Sequence, residues 1–142
     1  MNLYNRIKQV FNYIFNKPKL EDIKEVKIVL SPLEYKIFEK MDEYDKIHCL
    51  GVYKLVKEDK LIGEDIVYLK FALLHDCGKE NISLFRRIKK VIFSDKLLEQ
   101  HPLLGYEKLK DINLEVAQLV KKHHNKNVDE KMKIFQGIDD KS

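Results

Sequence analysis

Apolar positions recur along this chain at three- and four-residue intervals almost everywhere, and alternating strand-like patterns are scarce. Leu3, Ile7, Val10, Phe11, Ile14 and Phe15 share one helical face, and Pro18 closes that segment. The spacing predicts a docking helix, part of an N-terminal extension over residues 1–30. In "LEDIKEVKIVL", Ile23, Val26, Ile28 and Leu30 fit a helix face and a short strand about equally, so both assignments stay open. "SPLE" is a start signal: Ser31 can cap, Pro32 suits the first helical position, and Glu34 stands where a capping box places its carboxylate. A helix is expected from Pro32 to about Glu43, with Asp45 capping the next one, "KIHCLGVYKLV".

Gly63 punctuates the turn "KEDKLIGED", and a helix from about Glu64 runs through "DIVYLKFALLHD" to stop near Gly78. "NISLFRRIKKVIF", "PLLGYEKLKD", "NLEVAQLVKKHH" and "DEKMKIFQGIDDKS" complete the helical segments. The pattern predicts an all-α, single compact bundle of six to eight helices occupying residues 1–142. No internal repeat and no long linker divides it. At 142 residues, one domain can bury roughly two thirds of its unfolded surface, enough for a substantial core.

Composition narrows the classes further. With 44% apolar and 35% charged residues, this is a globular composition, and five Gly with three Pro are too few for a low-complexity chain. The net charge of +4 is spread thinly over 27 basic and 23 acidic residues, so charge does not argue for nucleic acid. Two cysteines, Cys49 and Cys77, make no disulfide framework and suit a reducing, cytoplasmic setting. Neither a signal h-region nor an apolar run of membrane-spanning length is present.

The five histidines change the picture. His48 lies within an apolar helix, His75 ends one, His101 opens one before Pro102, and His123 with His124 ends another. Asp76 follows His75 directly, and Asp139 and Asp140 follow the apolar Phe135 and Ile138. A lone histidine on an apolar helix is more often a hydrogen-bonded core residue than a ligand. The constellation argues otherwise, because imidazole and carboxylate groups from separate helices of a bundle can gather around a divalent metal. The sequence does not distinguish Mn, Fe, Mg, Ni, Co and Zn.

The order His48, then His75-Asp76 in "LLHDCGK", then an aspartate in "GIDDKS" resembles the HD superfamily of metal-dependent phosphohydrolases. "HPLLGYEKL" and "VKKHH" are similar to the further histidine motifs of its two-metal members. The resemblance implies one metal held by His48, His75, Asp76 and Asp139, with Asp140 as the alternative. It implies that Asp76 bridges to a second metal held by His101 and His123, with His124 as the alternative, and that Lys79 contacts a substrate phosphate or the bridging water. The implied activity is hydrolysis of a small phosphorylated substrate, a nucleotide by family habit, through a metal-activated water. The Gly-Tyr-Pro signature of the superfamily's cyclic-di-GMP phosphodiesterases is replaced here by "HHNKNVDEK", which disfavours that substrate. A non-catalytic signalling module and a di-iron oxygenase on the same fold are the alternatives.

Arg86 and Arg87 in "SLFRRIKKVIF", with Lys89 and Lys90, could steer substrate phosphates toward the metals. The plainer reading, an amphipathic helix burying Leu84, Phe85, Ile88, Val91 and Ile92 under a solvated basic face, is preferred.

Overall fold

The computed structural model describes residues 3–5, 7–8, 19–79 and 100–142. Among the described residues the chain is helical throughout, with no strand. Seven α-helices are bounded as α1 Leu20–Val29, α2 Pro32–Glu39, α3 Glu43–Lys57, α4 Ile66–Leu74, α5 His101–Leu109, α6 Leu114–Lys122 and α7 Glu130–Lys141, and one 3₁₀ turn spans Cys77–Lys79. No helix among the described residues is long and apolar enough to cross a membrane. Arg86 and Arg87 lie outside the described residues, as does most of the expected N-terminal helix. Of that helix, residues 3–5 and 7–8 are helical, and the Asn5 side chain donates to the backbone carbonyl of Asp140 on α7.

Short polar side chains start most of these helices. Asp65, Asn113 and Asp129 each accept a first-turn backbone N–H, from Val67, Val116 and Met132 respectively. The Ser31–Glu34 capping box forms in both directions, with Glu34 Oε1 accepting from the Ser31 N–H at 2.7 Å. The same carboxylate is buried and also accepts from Lys70 Nζ at 2.9 Å and from Asn113 Nδ2 at 2.8 Å. One cap therefore ties α2 to α4 and α6.

Two boundaries differ from the sequence expectation, and one segment left open between helix and strand is helical. The "LEDIKEVKIVL" segment is helix α1, with Val26 buried while Ile28 faces solvent, so the apparent alternation did not mark two faces of a strand. Helix α2 stops at Glu39 rather than Glu43. Asp42, in extended conformation, precedes α3, and Asp45 is buried inside its first turn instead of capping it.

The core centres on α4. Tyr68 and the run Phe71 to Leu74 are buried on nearly every side, as expected for a helix enclosed by its neighbours. α3 and α6 pack against it, α5 packs on α6, and α7 reaches α3. Phe71 meets Phe135 of α7 with ring centroids 4.1 Å apart, which brings the C-terminal helix over the end of α4. That end is where His75 and Asp76 emerge.

Candidate metal centre

α4 ends at Leu74, so His75 becomes its C-cap and Asp76 sits in the turn that leads into Cys77–Lys79. Adjacent residues within a helix diverge by about 100°. Released from the helix, both side chains reach one region. The helix expected to stop near Gly78 ends four residues earlier, and Gly78 lies in the 3₁₀ turn rather than at the helix end. It permits close approach: a Cβ at Gly78 would fall on the His101 carbonyl oxygen and lie 2.7 Å from the Gly105 nitrogen. The turn thus lies directly on the first turn of α5. Lys108 of α5 reinforces it by donating to the Cys77 carbonyl at 2.9 Å.

Five further ligand-type side chains converge on this turn. His48 comes from α3, Asp139 from α7, His101 from the start of α5, and His123 and His124 from the end of α6. The two carboxylate oxygens of Asp76 face different groups. Oδ2 lies 3.6 Å from His48 Nε2 and 3.4 Å from His75 Nε2. Oδ1 lies 3.2 Å from His101 Nε2 and 3.7 Å from His123 Nε2. On the Oδ2 side, Asp139 Oδ1 completes a cluster at 2.8 Å from His48 Nε2 and 3.3 Å from His75 Nε2. On the other side, His101 Nε2 is 3.2 Å from His123 Nε2 and 3.3 Å from His124 Nε2.

The protein thus brings together His48, His75, Asp76, Asp139, His101, His123 and His124. His124 joins the second cluster beside His123 rather than replacing it, and it is the exposed member. Asp140 is exposed on α7 and stands apart from both clusters.

The chemistry of the donors fits a cation. His75 Nδ1 lies 2.8 Å from the Ala72 carbonyl, which fixes the ring proton there and leaves Nε2 as a lone-pair donor. That Nε2 is buried without a hydrogen bond, facing two carboxylate oxygens. A buried lone pair facing carboxylates requires a positive charge between them, which a proton or a metal can supply. When the proton takes the place, burial opposes the charge on His75, but Asp76 and Asp139 outweigh it and hold the imidazole well above its ordinary pKa. Burial likewise opposes charge on Asp76 and Asp139, yet His75 with its neighbours holds both carboxyls well below the usual range.

In the second cluster, burial and the nearby Lys79 ammonium lower the His101 pKa to about 4. Burial, with the imidazoles of His123 and His101, lowers that of His124 to about 3. These two rings are neutral near pH 7 and offer lone pairs. His123 Nδ1 bonds the Val120 carbonyl, so its Nε2 is also directed inward as a donor. Two donor sets sharing Asp76 can therefore hold one divalent ion each. Lys79 Nζ lies 3.2 Å from Asp76 Oδ2 and is partly exposed.

Two supporting residues carried no signal in the sequence. Gln136, one turn before Asp139 on α7, donates to the His123 carbonyl at 3.2 Å and to the Asn125 carbonyl at 2.8 Å. Lys108 looks like any solvated lysine until its fold neighbours are known. Cys49 and Cys77 are free and buried, and burial raises both thiol pKa values, that of Cys77 to about 12. Neither is poised as a nucleophile.

Comparison with known proteins adds one finding: the family model described as HD domain matches residues 46–138, a span that includes His48, His75, Asp76, His101, His123 and His124 and ends one residue before Asp139. No curated protein and no solved structure matches the chain.

Proposed function

The chain belongs to the HD domain family, and on that premise we propose that it is a metal-dependent phosphohydrolase acting on a small phosphorylated molecule, with nucleotides as the substrate class. The observation that carries this reading is the division of the Asp76 carboxylate between two clusters of inward-facing imidazoles. His48, His75, Asp76 and Asp139 would hold one divalent ion, and Asp76, His101, His123 and His124 the other. Bound divalent metal supplies a nucleophile from water near neutral pH and neutralises charge on phosphoryl oxygens.

The chain's own residues do the rest. Asp76 spaces the two sets, because its oxygens belong to one rigid carboxylate. The Ala72 carbonyl keeps the His75 proton on Nδ1, and the Val120 carbonyl does the same for His123. Lys79, partly exposed beside Asp76, offers positive charge to an arriving phosphate. Phe71 and Phe135 pack edge-on to His75 and close the inner side of the cluster with apolar surface. Exposed His124 marks the side from which a substrate can approach.

The test is elemental analysis of purified and Mn-reconstituted protein, paired with phosphate release from p-nitrophenyl phosphate, bis-p-nitrophenyl phosphate and a nucleotide panel. Metal uptake with hydrolysis that persists without oxygen is expected. Protein that takes up no metal on reconstitution overturns the site assignment. Metal-loaded protein that consumes oxygen and releases no phosphate favours oxygenase chemistry instead.

A further inference from the structure

We propose that Gly105 is a positioning residue whose missing side chain sets the clearance on which the second donor set, Asp76 Oδ1 with His101, His123 and His124, depends. The inference rests on the two-ion reading above.

Gly105 sits four residues after His101 on α5, where α5 crosses both the Cys77–Lys79 turn and α6. A Cβ there would come within 2.6 Å of Val120 Cγ1, within 3.3 Å of Cys77 Sγ and within 3.5 Å of the Gly78 nitrogen. Carbon atoms pack comfortably at about 3.5 to 4.0 Å. The Cys77 contact could relax by a few tenths of an ångström, whereas the Val120 contact demands roughly 1 Å of separation. Val120 is β-branched and on a helix, where one χ1 rotamer is strongly preferred, so turning its methyl away is costly and the displacement falls between α5 and α6.

Those two helices carry the second donor set. His101 opens α5, His123 closes α6, and Val120, whose side chain meets the added methyl, is the residue whose carbonyl holds His123 Nδ1. Metal-ligand distances tolerate about ±0.2 Å. A shift near 1 Å exceeds that tolerance several-fold, so the imidazoles of His101, His123 and His124, now 3.2 and 3.3 Å apart at Nε2, could no longer meet one ion in their present geometry. The first set is held differently. His48 and Asp139 lie on α3 and α7, which contribute none of the three atoms closest to a Gly105 Cβ, and His75 is pinned to Ala72 within its own helix. Alanine is also the better helix former than glycine, which favours retention of α5.

The experiment is calorimetric titration of the full-length, metal-free protein with Mn alone, for wild type, Gly105→Ala and Gly105→Ala/Val120→Ala, each checked for helicity by circular dichroism. Wild type should take two equivalents. Gly105→Ala should keep one at wild-type affinity and bind the other about 10- to 100-fold more weakly, the range typical of losing a ligand's support. Removing the Val120 methyl groups should restore the second equivalent, which a general loss of stability would not. Two wild-type equivalents in Gly105→Ala, loss of both from folded protein, or a double variant still limited to one would overturn the proposal. Should Gly105→Ala fail to fold, the double variant alone decides by the same count. A wild type that takes fewer than two equivalents would instead overturn the two-ion reading.

Discussion

Asp76→Asn removes one negative charge from both donor sets while keeping the shape of the side chain. In the metal-free protein, the carboxylates of Asp76 and Asp139 are matched by the His75 imidazolium and the Lys79 ammonium. Breaking a buried charge pair ordinarily costs about 3 to 5 kcal/mol. Here the cost falls at or below the lower end of that range, because Asp139 remains beside the His75 imidazole at 3.3 Å and the amide keeps the shape of the lost carboxylate. The metal-free variant should melt less than roughly 15 °C below wild type. The response to metal is the sharper measure. An ion at about 100 times its dissociation constant stabilises the folded state by about 2.7 kcal/mol per site, or roughly 10 °C for a chain of this size. Wild type should gain about 10 °C per occupied site, and Asp76→Asn should gain only a few degrees. Glu34→Gln is the control, because it alters a buried carboxylate remote in role from the clusters. It should lower the melting temperature with and without Mn by the same amount. Differential scanning fluorimetry across a Mn series reads all three proteins, and an undiminished rise in Asp76→Asn would refute the shared-carboxylate geometry.

Three other outcomes follow from the same contacts. His101→Ala should retain one equivalent of metal by elemental analysis, whereas Asp76→Ala should lose most of both; equal occupancy in Asp76→Ala and wild type would count against bridging. Glu34 is opposed by burial but held below its usual pKa by the Ser31 N–H, Asn113 and Lys70. Its contribution is full above about pH 4.5 and is lost as pH falls through the lower folded value, so wild type should lose more stability than Glu34→Gln between pH 6 and pH 3 in urea titrations. Cys49 and Cys77, buried and with raised pKa values, should resist Ellman's reagent at pH 8 until denaturant is added; rapid labelling of both in native protein would contradict the packing around α4.

Local chemistry made much of the fold readable. Ser31, Pro32 and Glu34 fix the start of α2 by contacts within four residues, and the apolar run before His75 announces a buried helix. Errors arose where long-range packing overrides local preference. Ile28 looked like a core position yet faces solvent, since α1 has only one side to bury, and its Asp22 and Glu25 reach Lys54 and Tyr53 of α3. Glu34 read as a cap alone, because nothing near it in sequence reveals Lys70 and Asn113, which lie 36 and 79 residues away. Among the ligand-type residues, a helical face separates Asp139 from Asp140: Asp139 follows Met132 and Phe135 onto the buried side of α7. His123 and His124 could not be separated that way, because α6 ends at Lys122 and helical geometry no longer divides them.

The same argument explains why paired polar residues in this chain stand at helix ends. Inside a helix, neighbouring side chains point about 100° apart, so a buried doublet would send one member away from any shared ion. Ending α4 at Leu74 and α6 at Lys122 lets His75 with Asp76, and His123 with His124, turn toward the same space. Each end must then be fixed by something other than helical hydrogen bonds. For the first, the fixing comes from Gly78 lying on α5 and Lys108 holding the Cys77 carbonyl; for the second, from Gln136 bridging the His123 and Asn125 carbonyls. Gln136→Ala should accordingly weaken the second ion more than the first, since its two hydrogen bonds end on the turn that carries His123 and His124. Mn titration of that variant checks it, and equal weakening of both ions would show that the turn is held mainly by apolar packing of Val116, Ala117 and Val120.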